Sequence, residues 1–328
     1  MRIIKIICTV LASVLLSAAC GKSDGGQMFT IRNQQGMTAV FSSWGGRMVR
    51  LEVPSRDGSL KNVVWGLGDA EDCAADADLR QPVIGRFAGR IARGRFDLDG
   101  YTWQLPVNEG RNHLNGGPAG FDKREWTLQP LSECSLLMTR LSPDGEEGYP
   151  GNLEISVLFT LTDQNELVVR YAARTDAPTI LNPTQHIWFN LHGEGAGAVT
   201  SHILKINADA YIPVDAESIP TGEVAPVEGT DLDFRDGKAV APQLDHHFVL
   251  RGTSGEPAAE VCEPASGIRL KIYTDQPGLQ VCSRRPDRGL VLETQHFPDS
   301  PNHPEFPSTV LRPGETYTQN TIYRFEIL

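Results

Sequence analysis

Apolar residues along this chain come in short bursts that alternate with polar ones, and they do not form the wider stripes of amphipathic helices. Phe29-Thr-Ile31, Ala39-Val-Phe41, Met48-Val-Arg-Leu-Glu-Val53 and Val63-Val-Trp65 are separated by Gly36, Gly45-Gly46 and Asp57-Gly58. Period-two runs between turn residues read as strands and tight turns. Arg95 to Leu105 forms two alternating arms about Asp99-Gly100, a hairpin signal. The same pattern recurs over 153–161, 167–173, 202–208 and 316–328. With 32 glycines and 22 prolines there is little room for long helices. The pattern predicts an all-β chain, a large antiparallel β-sandwich with a cleft built from strand ends and loops, as a single domain over 28–328.

One run carries an acid. In Gly289-Leu-Val-Leu-Glu-Thr-Gln-His-Phe-Pro-Asp-Ser-Pro-Asn302, alternation puts Glu293 on the face opposite Leu290 and Leu292, and delivers it to a loop stiffened by Pro298, Pro301 and Pro304. A carboxylate at the end of a rigid strand is held as a general base must be, within about 3 Å of the proton it takes.

The N-terminus is of another kind. Arg2 and Lys5 precede an apolar run from Ile6 to Leu16, then Ser17-Ala-Ala-Cys20. Residues 1–19 read as a secretory signal peptide of the lipoprotein type, too short to span a membrane, with Cys20 as the expected lipid carrier and 20–27 as a flexible tether. The expected location is a bacterial cell envelope, periplasmic or membrane-anchored, and otherwise secretion. Loss of the leader takes the net charge from -11 to -13, because Arg2 and Lys5 leave with it. Such a chain repels nucleic acid, and no P-loop or dinucleotide fingerprint is present. Of six cysteines, Cys73, Cys134, Cys262 and Cys282 remain as buried or bridged residues, with Cys262 and Cys282 as one possible cross-strand pair. Their spacing has no zinc pattern, and neighbouring His246 and His247 diverge on a strand, so no metal site is expected.

Several phrases together resemble the aldose 1-epimerase (galactose mutarotase) family over nearly the whole mature chain: Leu292-Glu-Thr-Gln-His-Phe-Pro-Asp299, Gly85-Arg-Phe-Ala-Gly-Arg-Ile91, Asn112-His-Leu-Asn-Gly-Gly117, Thr184-Gln-His-Ile-Trp-Phe-Asn-Leu191, Asp245-His-His-Phe248 and Pro277-Gly-Leu-Gln280. The resemblance implies the galactose-mutarotase-like β-supersandwich and interconversion of the α and β anomers of a free aldose, without a cofactor. It implies Glu293 as base and His186 as acid, with Arg90, Asn115, Asp245 and Gln280 placing the sugar hydroxyls. His186 and Trp188 would share one strand face, setting an imidazole beside an aromatic platform.

The chain departs from the family pattern at two places. Gly89 stands where the family has asparagine before its arginine, and Asn115 stands where it has a first active-site histidine. Asparagine hydrogen-bonds but does not titrate near neutrality. His113, two residues earlier in an extended segment, is expected on the same side as Asn115 as a partial substitute. These departures keep two other readings open: a non-catalytic sugar-binding or modulatory protein of this fold, and a glycoside hydrolase using Asp245 with Glu293.

Overall fold

The computed structural model describes residues 26–252 and 255–328. The signal peptide, Cys20 and nearly all of the expected tether lie outside the described residues. The remainder is built from two large antiparallel sheets. The larger has nine strands, running in space from Thr127–Ser132 through Ser135–Ser142, Leu153–Thr162, Glu166–Thr175, Tyr317–Ile327, Ile268–Thr274, Ala259–Glu263 and Ile203–Ile206 to Lys238–Ala239. The smaller has six, in the order Trp188–Phe189, Leu290–Gln295, Gly278–Cys282, Asp245–Leu250, Ala208–Ile212 and Ala225–Pro226. A four-stranded sheet from Met28 to Asn62 flanks them.

Alternation explains why the sheets face each other. Leu153, Ile155, Val157, Phe159 and Leu161 point inward from one ten-residue strand, each 2% exposed or less, while the residues between them face out. The six-stranded sheet answers with Phe248, Leu279, Val281, Leu290 and Leu292 in the same core. Phe189 of the smaller sheet meets Tyr323 and Phe325 of the larger at ring separations of 5.4 and 6.4 Å. Each such side chain contributes about 1.5–3 kcal/mol by leaving water.

The expected hairpin is present, with Asp99 and Gly100 both at positive φ, 52° and 82°, between Arg95–Leu98 and Tyr101–Gln104. Two expected strands are corrected. Val63-Val-Trp65 lies beyond the strand Leu60–Asn62, and only Val64 makes a bridge, to Phe189. The run 202–208 is two strands in different sheets: Ile203–Ile206 joins the larger, Ala208–Ile212 the smaller, and the chain crosses between them at Asn207. Alternation continues across such a crossing, so the pattern alone cannot reveal it. Among the described residues the one α-helix is Ala70–Ala75, capped by the Asp69 side chain. Cys73, Cys134, Cys262 and Cys282 are all free thiols, and Cys262 and Cys282 lie in different sheets, which removes the cross-strand bridge.

Candidate active site

The outer face of the six-stranded sheet is polar, and strand register sets its order. His247, Gln280 and Glu293 pair across three adjacent strands, as do Asp245, Cys282 and Val291 one step along. Directly opposed residues in antiparallel strands point the same way, and so do residues two apart, so all six lie on the face turned from the core. Trp188 pairs with Val291, and the Thr184 hydroxyl donates to the Thr294 carbonyl at 3.0 Å, which sets the segment carrying His186 beside the Glu293 strand.

Glu293 lies inside its strand, which runs on to Gln295, and not at a strand end as the sequence suggested. It is 6% exposed, and its buried Oε1 has no hydrogen-bond partner. Burial, with the nearby Asp245 carboxylate adding to it, pushes the Glu293 carboxyl up to about 8. Asp245 is satisfied on both oxygens: Gln280 Nε2 donates to Oδ1 at 2.8 Å, and Arg284 Nη2 pairs with Oδ2 at 2.9 Å.

His186 follows the two-residue strand Thr184–Gln185, which pairs with Val83–Ile84. Its Nδ1 is 2.9 Å from the Leu79 carbonyl oxygen, which also accepts from Trp188 Nε1 at 3.3 Å. A carbonyl only accepts, so Nδ1 carries a proton and Nε2 of the neutral ring is left as the acceptor. Leu79 and Gln81 both hold positive φ, 52° and 59°, in the segment that presents this carbonyl. Burial pulls the imidazole down to about 4. Ile187 and Phe189 enter the core as expected, and the His186 and Trp188 rings are 5.7 Å apart.

Arg90 pairs with Leu114 in a short ladder and is gripped by Glu109, whose carboxylate takes Nη2 at 2.6 Å and Nε at 2.5 Å. Asn115, at φ 51°, accepts from the Gly89 N–H through Oδ1 at 2.8 Å. That left-handed residue ends the extended alternation on which the His113 expectation depended. His113 instead points inward: it is fully buried, with Nε2 2.7 Å from Tyr149 Oη and Nδ1 2.7 Å from the Pro106 carbonyl. Both its nitrogens are engaged, so His113 does not substitute for a histidine at position 115.

Three contributors escaped the sequence reading. Glu109 and the Leu79 carbonyl carry no local signal, since their partners are distant in sequence. Arg284 had one: Arg284-Arg-Pro-Asp-Arg288 is dense in cations directly after the Gln280 strand. Among the described residues no group of three or more His, Cys, Asp or Glu side chains is placed to hold a metal ion.

A β-sandwich that carries a buried carboxyl, Asp245 and Gln280 on the outer face of its smaller sheet, with an oriented imidazole beside them, has the groups that acid/base chemistry needs. The sequence profile of the family described as aldose 1-epimerase matches residues 27–324. The chain is 40% identical to galactose mutarotase of Rattus norvegicus over 331 residues, covering 93% of this chain and 96% of that protein. It is 38% identical to aldose 1-epimerase of Escherichia coli K12 over 329 residues, covering 91% and 95%. Among solved structures, an aldose epimerase homologue from C. elegans superposes with a TM-score of 0.87 at 28% identity, covering 92% of this chain and 99% of that one. Galactose 1-epimerase from Lactobacillus acidophilus gives 0.80 at 26% identity, with the same two coverages. The chain belongs to the aldose 1-epimerase family.

Proposed function

We propose that this protein is an aldose 1-epimerase, an isomerase that interconverts the α and β anomers of a free aldose, with Glu293 and His186 as its proton-transfer pair. The observation that carries the assignment is the buried Glu293 carboxyl, unpaired at Oε1, in register with Gln280 on one side and with the His186 segment running beside its strand on the other. Glu293 takes the proton of the O1 hydroxyl as the C1–O1 double bond forms. The C1–O5 bond breaks, its electron pair stays on O5, and His186 protonates that oxygen through Nε2. Rotation about C1–C2 and the reverse transfers close the ring as the other anomer. Gln280, Asp245, Arg90 and the Asn115 amide hold the remaining hydroxyls, so reacting atoms stay aligned through the open-chain stage. The exchange is neutral in electrons and draws on no cofactor.

Burial favours protonated Glu293 and neutral His186, which is the state that ring opening leaves behind, so ring opening starts from the less favoured arrangement with Glu293 ionised and a proton on His186 Nε2. One proton is shared between the two groups, and each half-reaction moves it from one to the other. Glycoside hydrolysis with Asp245 fits less well, because a carboxylate held by Gln280 and Arg284 is set to accept hydrogen bonds and not to protonate a leaving group.

Polarimetry of freshly dissolved α-glucose and α-galactose, run beside a chromogenic glycoside, tests the reading: anomerisation above the uncatalysed rate with no glycoside cleavage is expected, and cleavage without anomerisation contradicts it. The leader-like residues 1–19 and Cys20 support placing the activity in the cell envelope. Cys20→Ser then shifts the protein from the membrane fraction to the soluble one, and an unchanged distribution contradicts the anchor.

A further inference from the structure

The loop that follows the Gln280 strand is rich in arginine, and we propose that the aldose turned over here carries an anionic group, a carboxylate or a phosphate, that docks on Arg284. This rests on the mutarotase reading and names its substrate class.

Arg284 follows the Gln280 strand and sets Nη2 2.9 Å from Asp245 Oδ2. Its side chain is 52% exposed, and its Nε and Nη1 make no hydrogen bond among the described residues. A guanidinium has five N–H donors in a fork that matches carboxylate and phosphate oxygens, so most of its donor capacity is unspent. The loop that carries it is tethered beside the His186 segment, because Arg285 Nη1 pairs with Asp78 Oδ1 at 2.5 Å. Asp78 adjoins Leu79, whose carbonyl orients His186. Arg80 and Arg288 both lie over the Trp65 ring, at 5.1 and 5.0 Å, and Trp65 sets its edge against Trp188 at 5.7 Å.

The solvent-reached acids here do not outnumber the cations: Arg284, Arg285 and Arg288 lie beside Asp245, Asp78 and Asp287, while Arg80 shares the buried Asp76 with the buried Arg47, at 2.7 and 2.8 Å. In a chain of net charge -11 such a surface is out of character. A neutral hexose gains little from it: Gln280 already orients Asp245, and an arginine on the other oxygen takes one of the lone pairs open to sugar hydroxyls. An anionic sugar needs that arginine, because a bare Asp245 would repel it.

Anomerisation of glucose, galactose, glucuronate, galacturonate and glucose 6-phosphate at one ionic strength, by wild type and by Arg284→Ala, tests the proposal. Wild type is expected to show kcat/KM at least about tenfold higher for an anionic aldose than for its neutral parent. Arg284→Ala is expected to lower that ratio about tenfold, chiefly through KM, and Arg284→Lys to restore part of it. The uronate and phosphate arms show which anion is read. Preference for neutral hexoses, or a ratio unmoved by Arg284→Ala, overturns this inference and leaves the mutarotase reading standing. Acceleration of none of the five sugars overturns both.

Discussion

Asn115 and Gly89 are bonded to each other twice: the Asn115 N–H donates to the Gly89 carbonyl at 3.0 Å, and the Gly89 N–H donates to Asn115 Oδ1 at 2.8 Å. Both positions are departures from the family motif, and the second bond makes them a single linked change. Gly89 has φ 78°, and a Cβ there would lie 3.0 Å from Pro298 Cβ, so a side chain is disfavoured by both backbone and space. The Asn115 carbonyl oxygen is committed to this contact, and only its Nδ2 donors remain for a sugar.

Restoring the family histidine at 115 alone therefore does harm. Asn115→His strips the Gly89 N–H of its acceptor and puts a ring at a left-handed position that asparagine tolerates better. We expect a loss of about 1–2 kcal/mol, the cost of a partly buried donor left unmade. Urea unfolding measures it, and a variant within about 0.5 kcal/mol of wild type contradicts the linkage.

His186 is expected to matter through Nε2 alone, since Leu79 holds the other nitrogen. His186→Asn should lower kcat by roughly 10²-fold or more, the usual scale for a positioned acid or base. His113→Ala should act on stability, because that ring is buried between Tyr149 and Pro106. If His113→Ala cuts kcat more deeply than His186→Asn without loss of folded protein, the acid has been placed on the wrong histidine.

The pH profile follows from the shared proton. With His186 down at about 4 and Glu293 up at about 8, the pair holds one proton throughout that window. Above it Glu293 ionises while His186 is already neutral, and no group remains to protonate the leaving oxygen. After subtraction of the hydroxide-catalysed blank, kcat/KM should be level from about pH 5 to 7.5 and fall above about 8. A rate that keeps climbing from pH 7 to 9.5 would mean that Glu293 acts as a lone base.

Much of this site was legible in the sequence, because its residues stand in local phrases: Glu293 in a strand-to-proline run, His186 before an alternating aromatic pair, Gln280 after Pro-Gly. What was not legible depends on pairing between distant segments. The grip of Glu109 on Arg90 spans 19 residues, and the His186–Leu79 bond spans 107. The crossing at Asn207 was hidden because alternation survives a change of sheet. His113 misled for the opposite reason, since the extended geometry assumed for it stops at the left-handed Asn115.

The central claim is that Glu293 moves the proton, and Glu293→Gln tests it most directly. The amide keeps the shape and most of the hydrogen bonding at a buried position, but it cannot take the O1 proton. Polarimetry of the variant beside calorimetric sugar binding should show catalysed anomerisation abolished while binding persists. A variant that keeps more than about half the wild-type rate contradicts Glu293 as the base.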